Sequence, residues 1–348
     1  MPVMMCAVRT AVIVLLLLLA GARISAAQTP PPTPCDTAKA SPKLGIEPFA
    51  QRPWYRPLIA EPRGAQTQLY VWGKSKPVPY MVRDEDITVW EINFGEEVPL
   101  ATFEKGAVDG SLLDCRGWGF GAWGSGSFHM ILSSDHGSAP VLNQDYRFAG
   151  AIKAAKAVTP RDLISLKVQV GHESTHLGDE FVIRAIDFYG DAFLRVNVSY
   201  EYVEFGANWD HFFGAQRQHS ISFRGSAVQA LGDSWYSSRA LTGQFLYPSA
   251  VNVEPSVGVE YLPQGSHGWR PFVSYDGRLR TIYDYQKTSA DQREDRQFSS
   301  SLVVGMRQLK WKGMPDLIAR AYYGVNPHGQ FRSQSNYWTL AVGVMLRR

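Results

Sequence analysis

The feature of this sequence that most constrains its fold is an alternation of apolar and polar residues with a period of two. Between residues 164 and 170, four branched apolar side chains alternate with polar ones. The same pattern recurs from about Asp86 onward, in segments of roughly ten residues separated by turn residues. Because strand side chains point alternately to opposite faces, each segment predicts one β-strand. We count about twelve such strands.

The two faces of these predicted strands differ in character. One face is apolar, and the other carries small or charged residues, as in the segments 194–202, 220–227 and 337–346. Such dyad repeats are typical of an outer-membrane barrel, whose apolar face contacts lipid. A soluble periplasmic sandwich, in which the apolar faces meet one another, is the alternative. Lone arginine, serine and glycine residues on the second face favour the lumen of a barrel. The prediction is all-β: an antiparallel outer-membrane β-barrel of about 12 strands with an irregular N-terminal arm.

The N-terminus predicts export. Arg9 precedes an apolar run from Ala11 to Ala20, and small residues follow up to Ala27, which indicates a signal peptide over residues 1–27. Residues 28–85 are then a proline-rich N-terminal arm and residues 86–348 the barrel domain. No later stretch of about 18 apolar residues occurs, which excludes a helical membrane protein. The predicted location is the bacterial outer membrane, with membrane lipid and the outer-membrane assembly machinery as partners.

Charge and cysteine content add two further expectations. The formal net charge is +3 with scattered basic residues, so no nucleic-acid partner is predicted. Once Cys6 is removed with the signal peptide, Cys35 and Cys115 remain in an oxidising compartment. They either form a disulfide or remain two isolated thiols.

The densest group of reactive side chains lies between Gly171 and Glu180. In a helix, His172-Glu173-x-x-His176 would be the signature of a zinc hydrolase. The period of two leading into it, Gly171 and the absence of a helix-capping residue favour a strand instead. Residues four apart in a strand are separated by roughly 13 Å, too far for two ligands of one zinc ion. The strand interpretation therefore excludes the zinc signature.

The same alternation places His172 and Ser174 on the lipid-facing side of the strand. Polar groups there lose their water partners, which is costly unless they have a purpose. A lipid substrate would supply that purpose. Imidazole and hydroxyl groups two residues apart in a strand can come within hydrogen-bonding reach.

These residues resemble outer-membrane phospholipase A through the triplet His172-Glu173-Ser174. The resemblance implies a twelve-stranded barrel with an active site on its outer wall, His172 as base and Ser174 as nucleophile. It implies a serine acyl-ester hydrolase of the phospholipase or lipid deacylase type, with calcium as a possible cofactor.

The match is incomplete where the phospholipase family uses an asparagine on the next strand to hold the imidazole. The corresponding position here is Ile186. Lipid A deacylase uses a glutamate in this role, so the orienting group is expected among the nearby carboxylates, chiefly Glu180 or Asp187. His176 and Asp179 are expected to contact the substrate, and the acidic loop offers oxygen ligands for calcium.

The longer pattern His-x-Ser-x-His-x-Gly-Asp-Glu resembles a family of bacterial exported proteins of unknown function. That resemblance extends to the segments 54–58 and 145–148 and implies no particular chemistry. Two alternatives therefore stay open. The polar cluster is either a site of serine-hydrolase or metal chemistry, or a hydrogen-bonded cap where a strand meets a loop. The protein is either a hydrolase or a non-catalytic barrel, a channel or envelope structural protein, whose lumen would be lined by Arg195, Glu201, Arg224 and Arg320.

Overall fold

A computed structural model describes most of the chain. The described residues are 43–45, 54–79, 81, 85–107, 111–134, 139–189, 196–231, 235–237, 253–264, 268–282, 295–311 and 313–346. Residues 1–27 and Cys35 lie outside this set, so the predicted signal peptide remains a prediction. Cys115 is disulfide-bonded.

The chain forms fourteen described strands and one α-helix. The strands are β1 Lys43–Gly45, β2 Thr67–Ser75, β3 Ile87–Lys105, β4 Trp118–Ser133, β5 Val141–Ala157, β6 Asp162–Leu177, β7 Val196–Phe213, β8 His219–Leu231, β9 Trp235–Ser237, β10 Val253–Pro263, β11 Trp269–Thr281, β12 Arg296–Gln308, β13 Asp316–Gly324 and β14 Tyr337–Leu346. The helix α1 spans Asp179–Tyr189, within a segment that the sequence predicted to be loop. Among the described residues, no helix is long and apolar enough to cross a membrane.

Twelve of these strands close into an antiparallel β-barrel, which confirms the predicted fold class. The ring runs in chain order from β2 to β14, leaving out β9, and is closed by the pairing of β14 with β2. The short strands β1 and β9 add to β3 and β7 outside the ring. Strand β2 belongs to the barrel wall, so the wall begins inside the segment that the sequence analysis assigned to the arm.

The outer surface of the barrel is apolar. On β6, the side chains of Ile164, Leu166, Val168 and Val170 are 42–54% exposed, whereas the residues between them are buried. Large apolar side chains are likewise exposed on other strands, among them Trp90, Phe94, Phe120, Phe148, Phe205 and Val257. A continuous apolar exterior around a polar interior is the arrangement of an outer-membrane-type barrel, because it places hydrocarbon-compatible groups toward lipid.

The interior is filled by the N-terminal arm, residues 54–66. Trp54 packs on Trp123 of β4, with ring centroids 5.3 Å apart. Farther along the arm, the backbone N–H of Tyr55 donates to Ser165 Oγ at 3.1 Å, and that of Ile59 donates to Glu260 at 2.7 Å. These contacts reach strands on different sides of the barrel. The arm therefore crosses the lumen and occupies it.

Ion pairs line the wall around the arm. Many of the carboxylates buried in the lumen lie against a basic side chain, because an isolated buried charge would be costly. Examples are Lys167–Glu204 at 3.0 Å, Arg224–Glu61 at 2.9 Å, Lys153–Glu97 at 2.7 Å, Arg307–Asp316 at 2.9 Å and the bidentate Arg320–Glu91 pair. Arg224 and Arg320 thus face the lumen as expected. Arg195 lies outside the described residues.

The two ends of the barrel differ. Connections at one end are short, such as 158–161 and 214–218, and connections at the other are long, such as 178–195 and 325–336. The β13–β14 connection folds inward, so that residues 325–332 are buried. Phe331 there packs with Phe181 and Val182 of α1 in an apolar cluster. This cluster covers the lumen at the end with the long connections.

Candidate functional site

The segment 172–176 lies on β6 near the end of the barrel with long connections. Its backbone is extended, as the sequence predicted, so the zinc-hydrolase signature does not form. His172, Ser174 and His176 point outward, and Glu173 and Thr175 point into the lumen. Glu173 is 1% exposed and pairs with Arg63 of the arm at 2.5 Å and with Arg147 at 3.3 Å. The glutamate of the His-Glu-Ser triplet is therefore a structural group inside the barrel.

His172 is held by two residues of the neighbouring strand. In the β6–β7 pairing, His172 lies opposite Glu201 and Ser174 lies opposite Ser199. His172 Nδ1 is 3.2 Å from Glu201 Oε1, and Ser199 Oγ is 3.3 Å from His172 Nε2. Because a carboxylate only accepts, Nδ1 carries the proton and Nε2 is free to accept from the serine hydroxyl. The result is a Ser199–His172–Glu201 chain on the outer wall.

Ser174 forms a second serine–histidine pair beside the first. Its Oγ lies 3.0 Å from His176 Nε2. The His176 ring meets the ring of Tyr146 edge-on at 5.9 Å, and the Tyr146 hydroxyl donates to Gln144 at 2.9 Å. The sequence analysis joined His172 to Ser174, whereas the observed hydrogen bonds join each of them to a different partner.

The carboxylates expected to orient His172 lie elsewhere. Asp179, Glu180 and Asp187 are all on α1. Glu180 pairs with Arg184, one turn along the same helix, at 2.6 Å. The carboxylate in contact with His172 is Glu201, which the sequence analysis placed in the lumen.

The carboxylates of α1 do not converge on one point. A calcium ion needs six to eight oxygen ligands converging at about 2.3–2.6 Å. Within the described residues, the group of side chains that converges closely enough to hold a metal ion consists of Glu91, His129 and His328, and none of the α1 carboxylates belongs to it. No step of the chemistry below therefore passes through calcium.

Ser199 and Glu201 escaped the sequence analysis because the apolar face of β7 was taken to face lipid throughout. In the structure, Val198, Tyr200 and Tyr202 are buried inside. The signal lay farther along the same strand, where Phe205 and Trp209 are exposed and share the parity of Ser199 and Glu201. Extending the alternation to residue 209 would have assigned both residues to the outer wall.

The site lies at the border of the apolar surface. Val170 precedes His172 on the outer face of β6 and is 54% exposed, and Phe148, which pairs with His172 across β5, is 62% exposed. The side chains of His172 and Glu201 are 44% and 57% exposed. A hydroxyl, an imidazole and a carboxylate in series are the parts of an activated nucleophile. Here these parts lie next to a surface suited to acyl chains.

Comparison with solved structures finds other barrels at low similarity. Outer membrane phospholipase A from Escherichia coli is 12% identical, with 86% of this chain and 94% of that chain covered and a TM-score of 0.45. The calcium-bound outer membrane phospholipase dimer from Salmonella typhi is 11% identical, with coverages of 82% and 91% and a TM-score of 0.43. The β domain of the Bordetella autotransporter BrkA is 12% identical, with coverages of 81% and 100% and a TM-score of 0.35.

Sequence comparison gives one family and no curated relative. No curated protein matches the chain. The family model described as "Protein of unknown function (DUF1207)" matches residues 37–217, just over half of the chain. The matched span includes the arm, the strands β2 to β7 and the whole of the candidate site.

Proposed function

Because the chain belongs to the DUF1207 family, whose function is unknown, we propose a function for it from its site: a serine acyl-ester hydrolase of the outer membrane that acts on membrane lipid. The single observation that carries the proposal is the hydrogen-bonded chain of Ser199, His172 and Glu201 on the lipid-facing wall. Export by residues 1–27 and insertion by the outer-membrane assembly machinery are part of the same proposal.

The proposed reaction runs through an acyl-enzyme. His172 Nε2 takes the proton of Ser199 as Oγ attacks the ester carbonyl, and Glu201 stabilises the imidazolium that forms. The bond between carbonyl carbon and alcohol oxygen breaks, and the alcohol leaves with the proton from His172. A water molecule, deprotonated by the same imidazole, then releases the fatty acid and restores Ser199. The net reaction consumes one ester and one water and yields an acid and an alcohol.

The surroundings favour a lipid substrate over a soluble one. The site opens onto the outer wall, where Phe148 and Val170 offer apolar contact to an acyl chain while the polar group stays near the end of the apolar surface. Short connections of bacterial barrels face the periplasm and long ones face outside. This rule assigns the site to the outer leaflet.

Ser174, the nucleophile expected from the sequence, is an alternative within the same patch. Its partner would be His176 rather than His172. A carboxylate contacts His172 and fixes the tautomer that the mechanism needs. We therefore assign the nucleophile to Ser199, and the experiment below distinguishes the two serines.

The test is covalent labelling combined with lipid hydrolysis. Refolded protein in phospholipid vesicles is treated with a fluorophosphonate, and the labelled residue is identified by mass spectrometry. We expect the label on Ser199, and fatty-acid release that Ser199→Ala and Glu201→Gln reduce by about 100-fold or more. Ser300→Ala is the matched control, because Ser300 is another half-buried outer-wall serine, bonded to the Tyr275 hydroxyl at 3.2 Å.

Each outcome decides between the alternatives. A label on Ser174, with activity retained in Ser199→Ala, would transfer the nucleophile to the Ser174–His176 pair. No label and no fatty-acid release from any acyl ester would reject the hydrolase and support a non-catalytic envelope protein. The channel alternative is opposed by the interior, since residues 54–66 cross the lumen and hydrogen-bond to strands on different sides of it.

A further inference from the structure

A pair of histidines lies inside the barrel, whereas the proposed active site is on its outer surface. His129 projects inward from β4 and His328 comes from the inward-folded β13–β14 connection, with ring centroids 4.9 Å apart. Glu91 of β3 completes the group, its Oε1 lying 2.7 Å from His129 Nε2. The candidate ligand atoms of all three residues lie within 4.8 Å of one another. Three separate segments of the chain therefore meet at one point.

Three of the four imidazole nitrogens in this group lack hydrogen-bond partners. His328 is 0% exposed, and neither its Nδ1 nor its Nε2 has a partner. His129 is 4% exposed, and its Nδ1 has none. Asp145 is 3.9 Å from His328 Nδ1, too far for a hydrogen bond. A buried polar atom left unpaired costs about 1–3 kcal/mol, so three such nitrogens in one place indicate a missing partner.

His328 is in the protonation state that binds metals. Burial and the nearby His129 hold the pKa of His328 well below its usual range, so its imidazole is neutral at pH 7. Arg320 contacts both oxygens of Glu91, and this pair keeps the carboxylate ionised. Two imidazoles and one carboxylate are a ligand set suited to zinc and its neighbours in the first transition row.

We propose that His129, His328 and Glu91 bind a first-row transition metal ion such as Zn²⁺ inside the barrel. Two ligands at about 2.0–2.1 Å from a tetrahedral ion are separated by roughly 3.3 Å. His129 Nε2 and Glu91 Oε1, which lie 2.7 Å apart, would have to separate slightly to reach that distance. His328 would have to approach by roughly 1.5 Å, a movement that its position in a connection allows. Glu91 Oε2 keeps its contact with Arg320.

Such an ion would fasten the inward-folded connection to the wall. His328 lies in the segment that covers the lumen, while His129 and Glu91 belong to adjacent wall strands. Binding energy would therefore add to the stability of the closed interior, because the site forms only when the connection is folded inward.

The test uses the refolded full-length protein, stripped with chelator and titrated with Co²⁺ and Zn²⁺. We expect one Co²⁺ per chain with visible absorption bands, displacement by Zn²⁺, and a higher urea midpoint with Zn²⁺ than with chelator. His328→Gln and His129→Gln should each weaken binding by about tenfold or more. His219→Gln is the control, because His219 lies at the other end of the barrel and bonds to Tyr261 at 2.9 Å.

X-ray absorption on the zinc-loaded wild type gives an answer that does not depend on how the variants fold. Two imidazoles and an oxygen ligand in the zinc shell would support the site. Absence of bound metal after exposure to micromolar Zn²⁺, or equal binding by His328→Gln and the control, would overturn it. In that case ordered water is the missing partner of the buried nitrogens.

Discussion

Replacing Gly206 by alanine should displace the N-terminal arm from the barrel wall. Gly206 lies on the inner face of β7, against the ring of Tyr55. A Cβ at this position would lie 1.8 Å from the Tyr55 hydroxyl oxygen and 2.3 Å from the ring carbon that bears it. Ordinary contact begins at 3.4 Å. The Tyr55 ring must therefore move by well over an ångström to admit a single methyl group.

That movement has a calculable cost. The Tyr55 hydroxyl accepts a hydrogen bond from Arg224 Nε at 2.9 Å, and the ring lies under the cations of Arg224 and Lys167 at 4.5 and 4.9 Å. Overpacking costs about 1–3 kcal/mol, and losing a hydrogen bond to a charged group about 1.5–3 kcal/mol. We expect Gly206→Ala to lower the free energy of unfolding by about 3–5 kcal/mol.

The assay is equilibrium urea unfolding in lysolipid micelles, followed by tryptophan fluorescence. Tyr55→Ala alone should cost about 3–5 kcal/mol. The double variant should cost less than the sum by about 1–3 kcal/mol, because the new methyl group then occupies the vacated space. Gly225→Ala is the control, since a Cβ there meets nothing within 4 Å. Additive costs, or equal stability of Gly206→Ala and Gly225→Ala, would refute the position of the arm inside the barrel.

Three further predictions follow from the interior. Arg320→Met should destabilise the protein by about 3–5 kcal/mol, because it leaves Glu91 buried without its partner. The double variant Arg320→Met/Glu91→Gln should recover most of the lost stability. A double variant no more stable than Arg320→Met would contradict this prediction. With chelator present, the free energy of unfolding should fall as the pH drops below about 6.5, by up to about 1.4 kcal/mol per pH unit. The reason is that His328 binds a proton in the unfolded chain but not in the folded one. His328→Gln should flatten this slope, and the same slope in wild type and variant would contradict the prediction. In planar bilayers the wild type should give no steady conductance, because residues 54–66 occupy the lumen; a stable open pore would be the contrary result.

The barrel itself was predictable because its physical cause is periodic. A strand that separates lipid from a polar lumen must alternate, and the segments around Ile164 and Trp338 do so without interruption. The outward orientation of His172 and Ser174 followed from the same parity. The closed ring of twelve strands agrees with the number of alternating segments.

The rest could not be predicted because it depends on contacts between distant segments. Nothing in the composition of the arm shows that Trp54 and Tyr55 pack inside the barrel rather than outside it. The sequence sign of their burial lies on the wall, where Gly119 leaves room for the Trp54 ring and Gly206 for the Tyr55 ring. The partner of His172 likewise depends on the cross-strand register between β6 and β7, which an alternating pattern alone does not specify.

The location of the arm also restricts the order of assembly. Residues 54–66 precede every wall strand in the chain, yet those strands surround them. The Tyr55 ring lies against the cations of Arg224 and Lys167, and the Trp54 ring packs on Trp123. The ring is closed by the pairing of β14 with β2, the C-terminal and N-terminal strands of the ring. Once that pairing has formed, aromatic rings of this size have no gap through which to enter. We therefore expect the arm to take its place before β14 pairs with β2, so that closure of the ring encloses it.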